Sequence, residues 1–477
     1  MEEESKMKIL LIRPRFRDFI YHDPPLGLAY LASVLCNSGN NVRICDLAVE
    51  SCNLVARIEN FKPDIVGITC PFSSQATSMH EVANVVKLAS PYTKVVVGGA
   101  HPSAMPQEVL KDKNIDIVVI GEGEHTIVEL VKAIERGEQL DTIDGVAFRK
   151  GTGIKTTKER SPIKDLDSIP FPAWDLLPMK NYLKSKGGHS AFVKRTPYFS
   201  MITSRGCPLR CIFCSIHTVW GYQWRARSAE NVVKEIEVLV HRYGVREVHF
   251  EDDNIAIDKK RMYDICNKII ERDIDVTWTT PNGIAVWTLG KPMLEKMVKS
   301  GCFSLCFGLE SGNQRIRTKV IGKPIDLTYT KKVIRWCKEL GIWTHGFFVL
   351  GLPTETEGNF RETINMAKEL DLGSASFFIA VPYPGTPLFE LCKEKGYIQE
   401  FEWKSFRIDE AIIETETFTQ EDVRKWRRLA YKEFYFHKVR QEFSPLPLMR
   451  RLVTIRSWDD IAFYAHLLKS YYRFLNF

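Results

Sequence analysis

No stretch of eighteen consecutive apolar residues occurs in the 477-residue chain, so a hydropathy reading finds no membrane-spanning helix. Targeting patterns are missing as well. The opening MEEESKMKILLIRP is acidic and runs straight into an apolar segment, unlike a signal or transit peptide, and a cytoplasmic protein is expected. The twelve cysteines are scattered rather than framed for disulfides, and in this setting they read as free thiols and metal ligands. What remains is ordinary: 26% charged and 44% hydrophobic residues describe a globular chain long enough for two or three domains. Charge is the exception. Residues 426–477 carry ten Lys/Arg against four Asp/Glu, with thirteen aromatic residues among them, so most of the net +7 lies in the tail.

The first 140 residues alternate two patterns. KILLIRP is a continuous apolar run suited to a strand buried on both faces, and LGLAYLASVLCNSG after it reads as a helix closed by Gly39. NVRICDL, DIVGITC, KVVVGGA and IDIVVIGEG repeat the strand pattern, which predicts five strands in a doubly wound, Rossmann-like parallel sheet. Ligands of such sheets bind beyond the carboxyl ends of the strands. Here those ends are CPFSSQAT, GGAHPS and GEGEHT, so Phe72, Ser73, Ser74, Gln75, Gly98, Gly99, Gly121 and Glu122 are candidate binding residues. No G-x-G-x-x-G follows the first strand, which weighs against a dinucleotide.

Cys207, Cys211 and Cys214 stand in SRGCPLRCIFCSIHTVWGYQW, and three readings compete for them. Structural zinc wants four ligands, and no second C-x2-C pair lies nearby. Inert buried thiols would be poor chemistry for a polar loop containing Arg and Pro. A four-iron cluster takes one thiolate per iron, so three thiolates leave one iron open to chelate the amino and carboxylate groups of S-adenosylmethionine. The setting agrees with the third reading. YFSMITSRG reads as a strand leading into the loop, and RSAENVVKEIEVLVHRYG as an amphipathic helix capped by Ser228. REVHFEDDN, DVTWTTPN, FSLCFGLESG, WTHGFFVLGLP and SASFFIAVPYPGT follow as further strands, which predicts a partial (β/α)6 TIM-type barrel with its chemistry at the strand ends. Alternation in FSLCFGLESG turns Ser304, Cys306, Gly308 and Glu310 to the inner face. Cys302 and Cys306 are expected to line the barrel as small residues.

The cysteine spacing, with Phe213 before the last thiol, is the signature of the radical S-adenosylmethionine superfamily. RPRFRDFIYHDPPLGLAYLASVL, the serine-rich loop and Gly98-Gly99 resemble the cobalamin-binding domains fused to some of those enzymes. Together the two parts resemble the class that includes anaerobic Mg-protoporphyrin ester cyclase, hopanoid methylases and natural-product methylases, over about residues 8–400. The resemblance implies three cofactors: a 4Fe-4S cluster on Cys207, Cys211 and Cys214, S-adenosylmethionine, and cobalamin. It implies methylation of an unactivated carbon, by hydrogen abstraction and methyl transfer from methylcobalamin. A radical oxidative cyclisation or rearrangement without methyl transfer is the alternative, and a cobalamin-binding sensor the non-enzymatic one. A tRNA methylthiotransferase would bring a second cysteine triplet before residue 200, and there is none.

Residue roles follow from the same resemblance. Glu310 and Ser311 would contact the ribose of S-adenosylmethionine, with a structural salt bridge as the alternative for Glu310. Asp252, Asp253 and Asn254, or a turn and helix cap made of them, fall where its amino group is recognised; Gly351 falls beside the adenine. The Asp-x-His-x-x-Gly segment that supplies a cobalt-ligating histidine in many cobalamin domains is absent. His22 has the wrong spacing, so no histidine should ligate the cobalt, and the loop Phe72 to Gln75 would face its lower side. The expected division is 1–140 for the cobalamin domain, 141–195 for a linker containing SPIKDLDSIPFPAWDLLP, 196–400 for the barrel and 401–477 for a helical basic and aromatic region. Flavodoxin or ferredoxin would be the reductant and a small, hydrophobic molecule the substrate, with no nucleic acid. The tail reads either as a peripheral membrane contact or as a helical cap on the barrel.

Overall fold

The computed structural model describes residues 7–15, 23–184, 193–399 and 402–442. His22 and the tail beyond residue 442 lie outside them. The protein is mixed α/β, built on two sheets whose strands are mainly parallel.

The first sheet contains β1 (Lys8–Arg13), β2 (Asn41–Asp46), β3 (Ile65–Thr69), β4 (Lys94–Gly98), β5 (Ile117–Val119), β6 (Val146–Lys150) and β7 (Gly153–Thr156), in the order β2-β1-β3-β4-β5-β6-β7. The apolar runs do here what a two-sided strand requires. Ile9 and Leu11 enter one core with the helices Leu26–Asn37 and Gly123–Arg136, whereas Leu10 and Ile12 enter a second with Leu54–Phe61 and Ala76–Ala89. β6 and β7 form an antiparallel hairpin on the edge of the sheet, inside the stretch read as linker. Their signal was local: VAFRK and GIKT flank a turn carrying Gly151 at φ +59°.

The second sheet holds six parallel strands: β8 (Tyr198–Met201), then, after the two-residue ribbon β9 (Ser204–Arg205) and β10 (Arg225–Ala226), β11 (Glu247–Phe250), β12 (Thr277–Thr280), β13 (Cys302–Glu310), β14 (Trp343–Leu350) and β15 (Ser374–Ile379). Their outer residues, among them Phe250, Leu305, Phe307, Phe348 and Phe377, are buried in the larger core. The helix Ala229–Tyr243 starts as expected, with the Asn231 amide donating to Ser228 Oγ at 3.1 Å.

β15 ends the sheet, and an uncovered edge strand presents unpaired backbone groups. The helix Gln420–Glu442 covers it with polar tips on apolar stems. Tyr431 Oη accepts from the Phe377 amide at 3.1 Å, Tyr435 Oη donates to the Ala375 carbonyl at 2.8 Å, and Arg427 Nε donates to the Phe377 carbonyl at 2.9 Å. Trp426 and Phe434 are buried beneath the same helix. The mixture of basic and aromatic residues up to 442 is therefore a cap on a sheet edge. No helix among the described residues is long and apolar enough to cross a membrane.

Candidate functional site

The thiol loop leaves the carboxyl end of β8 through a turn only glycine fits. Gly206 has φ +84°, and a Cβ there would stand 2.4 Å from the Gln223 carbonyl oxygen. The loop is then tied on both sides: the Ile212 amide donates to the Ile321 carbonyl, and the Leu388 amide to the Ile212 carbonyl, both at 3.0 Å. Cys207, Cys211 and Cys214 are free thiols, the middle one buried. Burial pushes all three pKa values up, Cys211 to about 11 and Cys214 to about 12. Among the described residues no three His, Cys, Asp or Glu side chains gather tightly enough to grip one ion. A polynuclear cluster asks instead for one thiolate per iron.

Glu310 faces this loop from the end of β13. Its φ is +65°, and pairing with β14 shifts register between Gly308 and Glu310, so a bulge aims the side chain. Its Oε1 accepts from Lys323 Nζ at 2.7 Å. Gly308 makes room for the pair, since a Cβ there would lie 2.4 Å from that ammonium. Burial disfavours the charged lysine, but Glu310 and the thiols of Cys211 and Cys207 outweigh it and hold its pKa above the ordinary value. Nothing in the sequence reading pointed to Lys323. Its one cue was position, between Gly322 at φ +81° and Pro324, just past the strand that carries Glu310.

The acidic run after β11 divides its tasks. Asp252 is buried and accepts from the Thr203 amide at 2.8 Å and from the hydroxyls of Thr203 and Ser204 at 2.6 and 2.5 Å. Asn254 is buried too, and its Oδ1 accepts from the Ala285 amide at 3.4 Å. Asp252 thus braces the approach to the thiol loop, and Asn254 the segment after β12. Asp253 is the one beside the thiols: burial first, then Asp252, raises its pKa to about 7, and its charge in turn bears on Cys207 and Cys214. Ser311 is fully buried, its hydroxyl 3.3 Å from Thr363 Oγ1 and accepting from the Asn313 amide. It shapes the turn that follows β13. Phe213 packs half-buried on the core, and Cys302 and Cys306 are buried along β13. Gly351, at φ +85°, donates its amide to Glu355 Oε2 and would meet Val423 with any Cβ, so protein packing accounts for it.

At the first sheet, Phe72 is 48% exposed, while Ser73 and Gln75 are buried and Ser74 is half-buried. The Ser73 hydroxyl is 3.0 Å from His101 Nδ1, and the buried imidazole meets Trp403 edge-on at 4.8 Å between ring centres. Burial lowers the His101 pKa to about 4. Gln75 Oε1 is buried without a hydrogen-bond partner among the described residues, an unmet acceptor beyond the end of β3. Gly99 is fixed by its neighbours: φ is +112° and a Cβ would come within 2.7 Å of the Cys70 carbonyl oxygen. Gly98 and Gly121 also sit against protein, the Gly121 amide donating to Ser103 Oγ at 3.0 Å.

Glu122 is engaged within the protein. It is buried and paired with Arg225 at 2.5 Å, and its Oε2 accepts from the Ile163 amide at 2.8 Å. Glu124 pairs with Arg205 at 2.5 Å, and that guanidinium lies 4.5 Å above the Trp220 ring. Burial would raise the Glu124 pKa; Arg205 more than offsets it and the carboxyl stands below its ordinary value. The acids of the GEGEH turn thus hold the arginines of β9 and β10, the ribbon flanking the thiol loop.

Known proteins match along this division. The B12 binding domain model matches residues 19–131, and the Radical SAM superfamily model matches residues 201–367. An uncharacterized methyltransferase of Pyrococcus horikoshii is 35% identical over 438 residues, covering 90% of this chain and 92% of the relative. Cytidylyl-2-hydroxyethylphosphonate methyltransferase of Streptomyces wedmorensis is 31% identical over 449 residues, covering 83% and 84%. The radical S-adenosylmethionine methyltransferase TsrM from Kitasatospora setae, solved with cobalamin and a [4Fe-4S] cluster, shares the fold at a TM-score of 0.70 and 19% identity, over 83% of this chain and 80% of that one.

Proposed function

Because the chain belongs to the family of radical S-adenosylmethionine enzymes that carry a B12-binding domain, we propose that it methylates an unactivated carbon of a small molecule. The observation that carries this reading is the thiol loop facing the buried Lys323–Glu310 pair, on a ribbon clamped to the first sheet. We read the first sheet as a Rossmann-like cobalamin unit extended by the 146–156 hairpin, and the second as a partial barrel.

Cys207, Cys211 and Cys214 would hold a four-iron cluster with one iron left for S-adenosylmethionine. When bound, the cluster and S-adenosylmethionine supply a carbon radical that abstracts hydrogen, and cobalamin supplies the methyl group. The chain's own residues prepare that site. Lys323 sets a positive charge against Cys207 and Cys211, opposing the burial that disfavours their thiolates. Glu310 fixes the ammonium, and Asp253 is the carboxyl available to an incoming amino group. Gln75 Oε1 fits a corrin rim, whose amides are hydrogen-bond donors. Phe72, Ser73 and Ser74 would lie under the corrin. His101, engaged by Ser73 and Trp403, is not expected to ligate cobalt. Methyl transfer is supported by the names of the two relatives. A membrane contact is not part of this reading, because Trp426, Tyr431, Phe434 and Tyr435 are buried against the sheet and only Phe436 of the aromatic residues between 426 and 442 is exposed.

The test is anaerobic reconstitution with iron, sulfide and cobalamin, followed by incubation with methyl-labelled S-adenosylmethionine and host extract. Label should enter a small molecule, and replacing all three cysteines with alanine should abolish both cluster absorbance and deoxyadenosine formation. About four irons retained in the triple variant would refute the cluster assignment. A turned-over product carrying no label would favour cyclisation or rearrangement. Nitrogen superhyperfine structure from a protein histidine in the cob(II)alamin spectrum would refute the lower-face assignment.

A further inference from the structure

The thiol loop has an outer side. Pro208 and Leu209, directly after Cys207, form one wall of a groove of about 520 Å³ that is completed by Ile257, Lys259, Trp287 and Pro324. Pro324 is the chain neighbour of Lys323, so this groove is backed by the same two segments that carry a thiol and the buried ammonium inside. Its lining is mainly apolar, and none of the lining residues is acidic. Trp287 is 41% exposed there, one of few large apolar side chains left to solvent among the described residues. Lys259 stands at the rim on the first turn of the helix Lys259–Glu271. Beside it on the loop, the exposed Arg210 guanidinium lies 4.3 Å over the Tyr222 ring, which is itself 40% exposed.

An exposed indole among Pro and Leu, with Lys259 in the lining and Arg210 next to Leu209 in the chain, has the composition of a protein-binding centre rather than of a solvated surface. It sits where an electron must enter, since a cluster held by Cys207, Cys211 and Cys214 can be charged only from outside the chain. We propose that this groove docks an acidic one-electron carrier protein, with Trp287 as the apolar anchor and Lys259 and Arg210 as the steering charges. The carrier is oxidised by one electron and the iron-sulfur site reduced by one, with no proton or group transferred. The inference rests on the function proposed above.

The experiment uses the full-length, iron-loaded protein and a purified acidic flavodoxin as probe. Affinity is measured at about 50 mM and about 500 mM salt, where screening differs strongly. Wild type should bind more weakly at high salt, and Lys259→Glu and Trp287→Ala should each raise Kd about tenfold at low salt. Flavodoxin-driven cleavage of S-adenosylmethionine should fall in parallel. With dithionite as reductant, cleavage rate, KM for S-adenosylmethionine and iron content should match wild type. Glutamate at the first turn of a helix suits its dipole, so Lys259→Glu is expected to fold. Unchanged flavodoxin affinity in both variants overturns the proposal. So does a raised KM for S-adenosylmethionine with dithionite, which would assign the groove to the co-substrate, or a dimer lost in Trp287→Ala, which would make it a self-interface. A wild type that takes up no iron overturns the underlying reading, and is seen before flavodoxin is added.

Discussion

Lys323 is enclosed between Glu310 and the thiols of Cys211 and Cys207, and an enclosed charge is costly unless each side answers it. Lys323→Met should leave Glu310 buried without its partner and lower stability by about 3 kcal/mol, the low end for breaking a buried pair. Urea unfolding of the metal-free protein measures this, and a loss under about 1 kcal/mol would mean water reaches the pair. His101 gives the protein a pH dependence of definite sign. Its imidazole is neutral in the fold down to about pH 4, whereas the unfolded chain takes up a proton near pH 6.5. The unfolded state therefore binds more protons between those values, and stability is lost as pH falls through them. The urea midpoint should drop less steeply from pH 6.5 to 4 in His101→Asn than in wild type. Equal slopes would show that the ring titrates in place.

Among the elements, the helix Gln420–Glu442 has the clearest physical task. It supplies hydroxyl and guanidinium partners to the exposed edge of β15, with Phe434 fully buried in the same contact. Phe434→Ala should cost about 3–5 kcal/mol, the range for removing a buried aromatic ring. Limited proteolysis should then release the helix before the sheet is cut. A variant as stable and as protease-resistant as wild type would deny the helix its place as a cap. The same element decides between the two sequence readings of the tail, up to residue 442, in favour of the helical cap. Arginine, tyrosine and tryptophan side by side suit either a membrane surface or a sheet edge, and both need apolar stems with polar tips.

Across the whole molecule, the first sheet's GEGEH turn meets the ribbon β9–β10 through paired charges that are nearly dry. Glu122 and Arg225 each have side chains 4% exposed, and Glu124 with Arg205 lies beside them. Glu122→Ala or Arg225→Ala alone should destabilise by about 3–5 kcal/mol by stranding the partner. The double variant should recover a large part of that, and additive losses would show that the two do not depend on each other. Because Arg205 and Arg225 belong to the ribbon flanking the thiol loop, the single variants should also load less iron. The joint between that turn and the ribbon thus helps set the loop's position.

How much of this could be read from sequence follows from the range of each force. Strand and helix succession was legible because burial on one or two faces writes a period of two or a continuous apolar run into neighbouring residues, as in KILLIRP and FSLCFGLESG. The cysteine triplet was legible because its thiols lie within eight positions of one another. Tertiary structure alone decided which acid meets which base. Asp252 and Asp253 are adjacent, yet one braces Thr203 and Ser204 while the other faces the thiols. Glu122 reaches Arg225 across a hundred positions, and Lys323 reaches Glu310 only because Gly308 has no side chain. Ion pairs need proximity in space and leave no period along the chain, so the fold had to bring them together before their roles could be assigned.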